Sequence, residues 1–446
     1  MSDSADSTAT AEAAPDTGGP ESRVVPRHLL WPFILLTSCF AFWGLANNMT
    51  DTLLAAFKRI LSMSDFRTSW VQVAFYGAYG CLALPAALFI RKYTYKAGVM
   101  LGLGLFSCGA LLFYPASLTM NYFHFLGALY ILAGGLSILE TSANPFIVAL
   151  GPEGTGTQRL NLAQSFNPLG SIAGVFLSRE FILSNLNRAG VEERAQMGAE
   201  QLRQVQSEEL TAVMGPYVGV ALVLLIVWGL IAWTPMPDDS DPDRDASLLD
   251  TLRRLFRLPH YYSGVIAQFF YVGAQIGVWS FTIRYVMAEL GVTEAEASTY
   301  YIAALVLFTA ARFGSTWLMS YVKSSTLLTV LSGVALALTA TVMLGGGYVG
   351  VIALVGISGC MSMMFPTIFG LAVRGLGEDA KIGGSGLIMA IVGGAALPAV
   401  QGLISDATGS IHLAYGVPLL CFLVTAAYGL AFWMMGERFA ATPAGN

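Results

Sequence analysis

Apolar runs long enough to cross a bilayer occupy most of this chain. A transmembrane helix needs roughly 20 predominantly apolar residues, whereas only 11% of these 446 residues are charged. About twelve such runs can be read from the sequence, near 30–57, 68–90, 97–114, 121–149, 160–183, 214–234, 260–288, 298–321, 325–344, 348–373, 382–404 and 411–435. The sequence therefore predicts an all-α membrane protein with twelve transmembrane helices.

The few charged residues exclude several classes of function. The formal net charge is −5, and acidic residues concentrate in the N-terminal tail and in PMPDDSDPDRD at 235–245, so we expect no nucleic-acid partner. The five cysteines show no metal-site spacing. The GxxxxGK[ST] phosphate loop of ATP-driven proteins is absent, and no spacing indicates a nucleophile with its base. We expect no enzyme, no catalytic residue, no metal and no cofactor.

The distribution of basic residues predicts the orientation in the membrane. Cytoplasmic loops carry an excess of Lys and Arg. If the N-terminus is cytoplasmic, the outer loops hold Lys58, Arg59, Arg67 and the mixed-charge segment 184–213, and the short inner loops hold Arg91, Lys92, Lys96, Arg159, Arg253, Arg254, Arg257, Lys323, Arg374 and Lys381. We therefore expect both termini in the cytoplasm. The first 27 residues lack the features of a cleavable signal peptide.

A polar, proline-rich connection divides the apolar runs six and six. It contains the basic amphipathic stretch LLDTLRRLFRL. The predicted regions are a disordered cytoplasmic tail at 1–27, an N-terminal six-helix half at 28–234, a cytoplasmic linker at 235–259, a C-terminal six-helix half at 260–436 and a short C-terminal tail at 437–446.

A faint repeat relates the two halves. The segment WGLANNMTDTLLAAFKRILSMS (43–64) aligns without gaps to VGAQIGVWSFTIRYVMAELGVT (272–293), which pairs Gly44 with Gly273. In the same way ETSANPFIVALG (140–151) can be set against PTIFGLAVRGLG (366–377). Parallel six-helix repeats form the two halves of major facilitator transporters, which bind substrate between the halves near the bilayer midplane. We therefore predict the major facilitator fold, with two pseudo-symmetric six-helix halves.

Two carboxylates lie inside apolar runs: Asp51 in the first and Glu140 in the fourth. An ionisable group at membrane depth costs about 3 kcal/mol or more unless it faces a partner or a water-filled cavity. The repeat aligns them with Ser280 and Pro366, so both carboxylates belong to the N-terminal half. We predict that they couple transport to protons, which are the expected coupling ion. A structural ion pair between Glu140 and the eighth-run Arg312 is an alternative, and Arg312 could also act as a gate.

Amide and aromatic side chains recur at helical spacing in several runs. Asn47, Asn48 and Asp51 share one face of the first helix, and the seventh contains Gln268, Tyr271, Gln275 and Trp279 at similar spacing. Amides suit sugar hydroxyls, and aromatic faces suit the C–H side of a sugar ring. Each residue could instead bond or pack within the bundle. The convergence favours a sugar site with the candidates Trp43, Asn48, Gln164, Asn167, Gln275, Trp279, Phe308 and Phe365.

Several segments resemble the fucose:proton symporter family of the major facilitator superfamily. The matching segments are FWGLANNMTDTLL, YKAG, LETSANPF, LGPEG with RLNLAQSFN, FYVGAQIGVWSFTIRY, ARFGSTWLM and FPTIFGLAVRGLG, and the similarity runs from residue 28 to 435. It implies a bacterial inner-membrane carrier whose protonatable residues match Asp51 and Glu140. It also implies cavity residues that match Trp43, Asn48, Gln164, Asn167, Trp279 and Phe308. One position differs: Phe365 replaces the family's Tyr before PTIF, which removes a hydroxyl from the sugar site.

These observations predict a proton-coupled symporter that imports a neutral monosaccharide by alternating access and functions as a monomer. The resemblance makes L-fucose the preferred substrate, with galactose, glucose and N-acetylglucosamine as alternatives. Asp51 should lie on the outer proton path, and Glu140 should couple protonation to sugar binding. A passive facilitator with the same fold remains an alternative. A membrane sensor would need an output domain, and a drug efflux protein would need a less polar cavity.

Overall fold

The computed structural model describes residues 24–60, 65–182, 194, 196–237 and 247–436. Within these ranges the regular structure is helical, and eleven helices are long and apolar enough to cross a membrane. Two shorter helices in succession make a further crossing, so the predicted twelve-helix membrane fold is confirmed. The predicted tails fall largely outside this part of the chain, at residues 1–23 and 437–446.

The N-terminal half makes the first six crossings. The fifth consists of two helices and ends in a π-helical turn at Ser178–Ile182. The helices are α1 (Leu30–Ile60), α2 (Asp65–Lys92), α3 (Tyr95–Thr119), α4 (Tyr122–Ala149), α5 (Gly156–Gln164), α6 (Phe166–Leu177) and α7 (Ala199–Trp233).

The C-terminal half makes the other six crossings after a linker that contains the amphipathic helix α8 (Leu248–Arg257). The tenth and eleventh crossings are each made by two helices, and the twelfth begins with a single helical turn. The helices are α9 (Pro259–Leu290), α10 (Glu294–Leu318), α11 (Ser324–Gly345), α12 (Gly347–Met361), α13 (Met364–Ala372), α14 (Ala380–Met389), α15 (Gly393–Thr408), α16 (Ile411–Ala414) and α17 (Gly416–Met435).

The twelve crossings return the chain to the face where it began. We name the face at which α1 begins and α17 ends the terminal face, and the other the opposite face. At the terminal face the linker helix bridges the halves: Arg254 donates to both carboxylate oxygens of Asp379, at 2.9 and 2.7 Å, and Arg91 at the end of α2 donates to Thr251 at 3.4 Å. The linker is therefore part of the packed structure at this face.

One helix boundary differs from the sequence prediction. The helix of the sixth crossing begins at Ala199, well before the predicted start of the apolar run near residue 214. The additional segment, AEQLRQVQSEEL, is too polar to count as a membrane span. Its Glu, Gln, Leu and Arg residues favour helix, so α7 starts outside the apolar region.

The fifth and tenth crossings are each interrupted just before a proline. Pro168 has no N–H, so the Gln164 carbonyl, four residues earlier, has no helical partner. In the tenth crossing Pro366 frees the Ser362 carbonyl in the same way. The chain leaves regular α-helix between Gln164 and Phe166 and between Met361 and Met364.

Glycine lets the first and fifth crossings approach very closely. A Cβ atom on Gly44 would lie 2.0 Å from the Asn167 carbonyl oxygen, and one on Gly170 would lie 1.8 Å from that of Ala41. The aligned Gly273 has the same role in the other half, where a Cβ would lie 2.2 Å from Leu397 of α15. Small residues at such contacts are the main way in which membrane helices pack tightly.

We predict that Gly170→Ala destabilises the protein, because the new methyl group meets backbone that cannot rotate away. Overpacking of this kind costs about 1–3 kcal/mol, so the thermal unfolding midpoint in detergent should fall. Gly229→Ala is the matched control, since a Cβ at Gly229 meets no atom within 4 Å. Equal midpoints for the two variants would contradict this interpretation of the helix contact.

Candidate functional site

A cavity of about 920 Å³ lies between the two halves. Helices α1, α2, α4 and α6 form one wall, and α9, α10, α13 and α15 form the other. The deep end contains Arg312, about 9 Å from the end of α10 at a rise of 1.5 Å per residue. The lining continues to Val71 and Tyr301, which lie near the starts of α2 and α10 at the opposite face.

The structure brings almost all of the predicted site residues to this cavity. Both Glu140 and Arg312 line it. Asp51 belongs to α1, but its side chain lies outside the part of the chain that the structure describes. The predicted substrate-binding residues that line the cavity are Trp43, Asn48, Gln164, Asn167, Gln275, Trp279, Phe308 and Phe365.

Glu140 lies at the deep end of the cavity, about 14 Å from the end of α4. Its side chain is almost completely buried. The Tyr79 hydroxyl of α2 donates a hydrogen bond to Glu140 Oε1 at 3.1 Å, and the Trp43 indole N–H of α1 donates to the Tyr79 hydroxyl at 2.9 Å. Two successive hydrogen bonds therefore connect Trp43, which lines the cavity, to the buried carboxyl group of Glu140.

Arg312 donates hydrogen bonds to the two backbone carbonyls that have no helical donor because Pro168 and Pro366 lack an N–H. Its Nε donates to the Ser362 carbonyl, and its Nη1 donates to the Gln164 carbonyl at 3.1 Å. The guanidinium also lies over the Phe308 ring, 4.6 Å from the ring centroid, a cation–π arrangement. Because Gln164 belongs to the other half, Arg312 joins the two halves at the floor of the cavity.

The ion pairs within the described ranges do not join Glu140 to Arg312. Glu140 is bonded by a neutral tyrosine and Arg312 by backbone carbonyls. The predicted alternative of a structural Glu140–Arg312 pair is therefore absent from this conformation. Glu140 can gain or lose a proton here without breaking an ion pair.

Amide groups reach the cavity from both halves. Asn167 on α6 and Gln275 on α9 are half-buried and line the cavity, so they can offer donors and acceptors to a ligand. The other two predicted amides are partly engaged. Gln164 donates to Asn144 at 2.8 Å, and Asn48 donates to the Gly44 carbonyl of its own helix at 3.3 Å.

Aromatic rings line both walls of the cavity. Trp43 lies on the wall of the N-terminal half, and Trp279 lies on the other wall. The Trp279 indole N–H donates to Ser358 at 3.2 Å, and its ring meets Phe308 edge-on with centroids 5.0 Å apart. These contacts fix the orientation of Trp279, so its ring provides a rigid apolar surface.

Only part of the predicted stripe on the seventh crossing reaches the cavity. Gln275 and Trp279 line it, whereas Gln268 and Tyr271 are completely buried and do not. The Tyr271 hydroxyl donates to the Met361 carbonyl at 2.9 Å, next to the interruption of the tenth crossing. Helical spacing identified the polar stripe but could not show how far the cavity extends along it.

Sequence reasoning missed the aromatic residues of the second crossing. Phe75, Tyr76 and Tyr79 line the cavity, and the Phe75 ring lies 5.6 Å from that of Tyr79. The segment FYGAYG places them at i, i+1 and i+4, so two of them are one helical turn apart. That spacing was the available signal, but the segment FYGAYG contains no charged or amide residue to draw attention to it.

Hydrogen bonds between the halves close the cavity at the terminal face. They connect the loop before α5, and α5 itself, to α10 and to the end of the tenth crossing. The bonds are Gly375 N–H to Glu153 (3.1 Å), Gln158 to the Thr316 carbonyl (3.1 Å) and to Ser320 (2.8 Å), and Asn161 to Thr367 (3.1 Å). The cavity is therefore blocked on this side and continues towards the opposite face.

Comparison with known sequences identifies relatives over nearly the full chain. Residues 34–398 match the model of the Major Facilitator Superfamily. The chain is 40% identical over 424 residues to a Haemophilus influenzae protein named L-fucose-proton symporter, which covers 92% of this chain and 99% of that one. It is 33% identical over 404 residues to a glucose/galactose transporter of Brucella abortus, covering 89% and 92%.

Solved structures agree with this relationship. A crystal structure of a Major Facilitator Superfamily transporter, FucP, in the outward conformation matches with a TM-score of 0.86 and 40% identity, covering 91% of this chain and 99% of that one. A crystal structure of a single-residue variant of the E. coli fucose:proton symporter, FucP, gives a TM-score of 0.85 at 39% identity with the same coverage. The protein therefore belongs to the major facilitator superfamily and, within it, to the fucose:proton symporter family that its sequence resembles.

Proposed function

We propose that the protein is a proton-coupled symporter that imports L-fucose across the bacterial inner membrane and is not an enzyme. One observation carries the proposal: Glu140, a carboxyl group inside a membrane span, lies at the deep end of a cavity that is also lined by amide and aromatic side chains. Relatives named L-fucose-proton symporters share 40% identity over most of this chain.

The cavity suits a neutral monosaccharide. Trp43 and Trp279 offer apolar faces from opposite halves, and Asn167 and Gln275 offer amides from opposite halves. A sugar that touches all four residues contacts both halves at once. Its binding therefore depends on how the halves are placed, as transport by alternating access requires.

Glu140 supplies the proton-coupling group. Burial disfavours an ionised carboxylate, and Glu140 is almost completely buried, with the Tyr79 hydroxyl donating to its carboxyl group. We infer that Glu140 takes up a proton while the cavity is open and releases it after the halves have moved. Asp51 is eight residues beyond Trp43 on α1, about 12 Å closer to the opposite face, and we assign it to the path by which the proton enters.

Alternating access requires the terminal face to open. The Arg312 bond to the Gln164 carbonyl and the Asn161 bond to Thr367 cross between the halves, so both must break in that movement. The excess of basic residues in the loops of the terminal face assigns this face to the cytoplasm. The conformation is then outward-open, which agrees with the similarity to an outward crystal structure. One chain holds the complete cavity, so we propose a functional monomer.

A second candidate substrate has specific support. The 33% identical relative is named a glucose/galactose transporter, and Phe365 departs from the fucose family pattern, so a different hexose is the second candidate substrate. A passive facilitator would have the same fold. It differs in one measurable respect: its sugar uptake would not depend on a pH gradient.

We predict that Glu140→Gln abolishes uphill accumulation of L-fucose in sealed proteoliposomes with an imposed pH gradient. The amide resembles the protonated acid in shape but cannot release a proton. Exchange of labelled for unlabelled fucose should survive, since exchange moves no net charge. Glu208→Gln, at an exposed position on α7, is the control and should accumulate fucose normally. Normal accumulation by the Glu140 variant would refute the proposed role.

We predict that Phe365→Tyr changes the ratio of L-fucose uptake to galactose uptake by a few-fold to about tenfold, because a new hydrogen bond to a sugar hydroxyl contributes about 0.5–1.5 kcal/mol. Phe75→Tyr adds the same hydroxyl to another part of the cavity lining and is the control. An unchanged ratio in Phe365→Tyr would show that this position does not contribute to sugar selectivity.

A further inference from the structure

We propose that Tyr79 is a positioning residue that couples the protonation of Glu140 to sugar binding by controlling the placement of Trp43. The inference rests on the proposed function, since it assumes that Glu140 carries the coupled proton. It adds a residue outside the predicted site and gives it a physical role. Tyr79 borders the cavity, but its side chain is completely buried and its hydroxyl is bonded to Trp43 and Glu140, so we assign it a role that acts through these two neighbours.

While Glu140 is ionised, chemistry fixes the direction of both hydrogen bonds that link Trp43, Tyr79 and Glu140, because a carboxylate can only accept. An indole nitrogen can only donate, so Trp43 donates to the Tyr79 oxygen, at 2.9 Å. The Tyr79 hydroxyl has a single hydrogen, which then points to Glu140 Oε1, at 3.1 Å. Three crossings, those of α1, α2 and α4, are thus joined by one hydroxyl group.

Packing limits the movement of this hydroxyl. The Phe75 ring lies 5.6 Å from the Tyr79 ring at an interplanar angle of 43°, and no part of the Tyr79 side chain is exposed. Trp43 is only partly buried and lines the cavity. A change at Glu140 can therefore reach the cavity surface through Trp43, the least buried of the three residues.

The charge of Glu140 determines the strength of the bond that it accepts. Hydrogen bonds to an ionised carboxylate are roughly twice as strong as those between neutral groups. Protonation of Glu140 therefore weakens its hold on the Tyr79 hydroxyl, which in turn loosens the constraint on the Trp43 ring. By thermodynamic reciprocity, a sugar that packs on the released Trp43 ring must favour protonation of Glu140 by the same factor.

Other ionisable groups near Glu140 are engaged elsewhere in the described structure. Arg312 across the cavity bonds to backbone carbonyls. Arg159 on α5 donates to the Ile147 and Val24 carbonyls, and Lys381 on α14 lies 5.3 Å from the Tyr95 ring centroid. Tyr76 lines the same wall of the cavity. The side chain of Asp51 lies outside the described residues.

The test compares L-fucose affinity at mildly acidic and mildly alkaline pH by calorimetry on the purified, full-length protein. In the unsubstituted protein, affinity should fall as pH rises, because ionised Glu140 holds Tyr79 and Trp43 in place. We call the affinity at the acidic pH divided by the affinity at the alkaline pH the pH-dependent ratio. In Tyr79→Phe this ratio should shrink by about two- to tenfold, the factor that corresponds to one net hydrogen bond. A ratio equal to that of the unsubstituted protein would overturn the proposal.

Tyr285→Phe is the matched control. Tyr285 is also completely buried, and its hydroxyl donates to the Val342 carbonyl at 2.8 Å, but it does not line the cavity. Its loss should leave the pH-dependent ratio unchanged. If Tyr79→Phe does not fold, Trp43→Phe removes the donor at the other end of the chain and should reduce the ratio in the same way.

Glu140→Gln separates failure of this inference from failure of the proposed function. If Glu140→Gln binds fucose independently of pH while Tyr79→Phe keeps the full pH dependence, Glu140 carries the proton but Tyr79 does not transmit its effect. If Glu140→Gln itself keeps the full pH dependence, the proton-coupling role of Glu140 fails, and the inference about Tyr79 fails with it.

Discussion

Two backbone carbonyls without helical partners meet one arginine at the floor of the cavity. A bilayer interior offers no water to such groups, so each must find a donor within the protein. Pro168 and Pro366 free the carbonyls of Gln164 and Ser362, and Arg312 bonds to both. The same arrangement satisfies the backbone and closes the cavity on its terminal side. It also makes the closed state depend on bonds that the movement of the two halves can break.

The two halves contribute different chemistry to the cavity. The N-terminal half supplies Glu140 and the Trp43–Tyr79 chain, while the C-terminal half supplies Trp279, Gln275 and the ring of Phe308. The proposed sugar contacts therefore come from both halves, but the carboxylate that lines the cavity in the described residues comes from one. A substrate bound between them responds to the protonation of one half and to the position of the other, as a symporter requires.

Much of the fold could be predicted from the sequence because the membrane imposes strong rules. Hydropathy located the crossings to within a few residues, and it failed at Ala199, where a polar helix extends beyond the apolar region. Glycine pairing also carried information: Gly44 and Gly273, aligned by the repeat, both lie at very close helix contacts. The interruptions before Pro168 and Pro366 could not be read from the chain, since Pro85, Pro115 and Pro145 lie inside continuous helices. The arginine that bonds to the freed carbonyls could not be read from it either.

The sequence predicted which residue types line the cavity, but it predicted few of the contacts between them. Buried charges and helical amide spacing led to Glu140, Arg312, Gln164 and Gln275, because polar groups are rare inside a membrane. The role of Tyr79 could not be predicted, since a tyrosine in an apolar run is usually packing. Its partners, Trp43 and Glu140, lie on two other helices, and only the packed structure brings the three together.

The central claim is that sugar and proton cross the membrane together. The most direct measurement is the external pH of a lightly buffered suspension of de-energised cells that contain the protein, recorded as L-fucose is added. The account predicts immediate alkalinisation of the medium as protons enter with the sugar, and none in cells with the Glu140→Gln variant. Fucose entry without any change in external pH would show a passive facilitator and contradict the account.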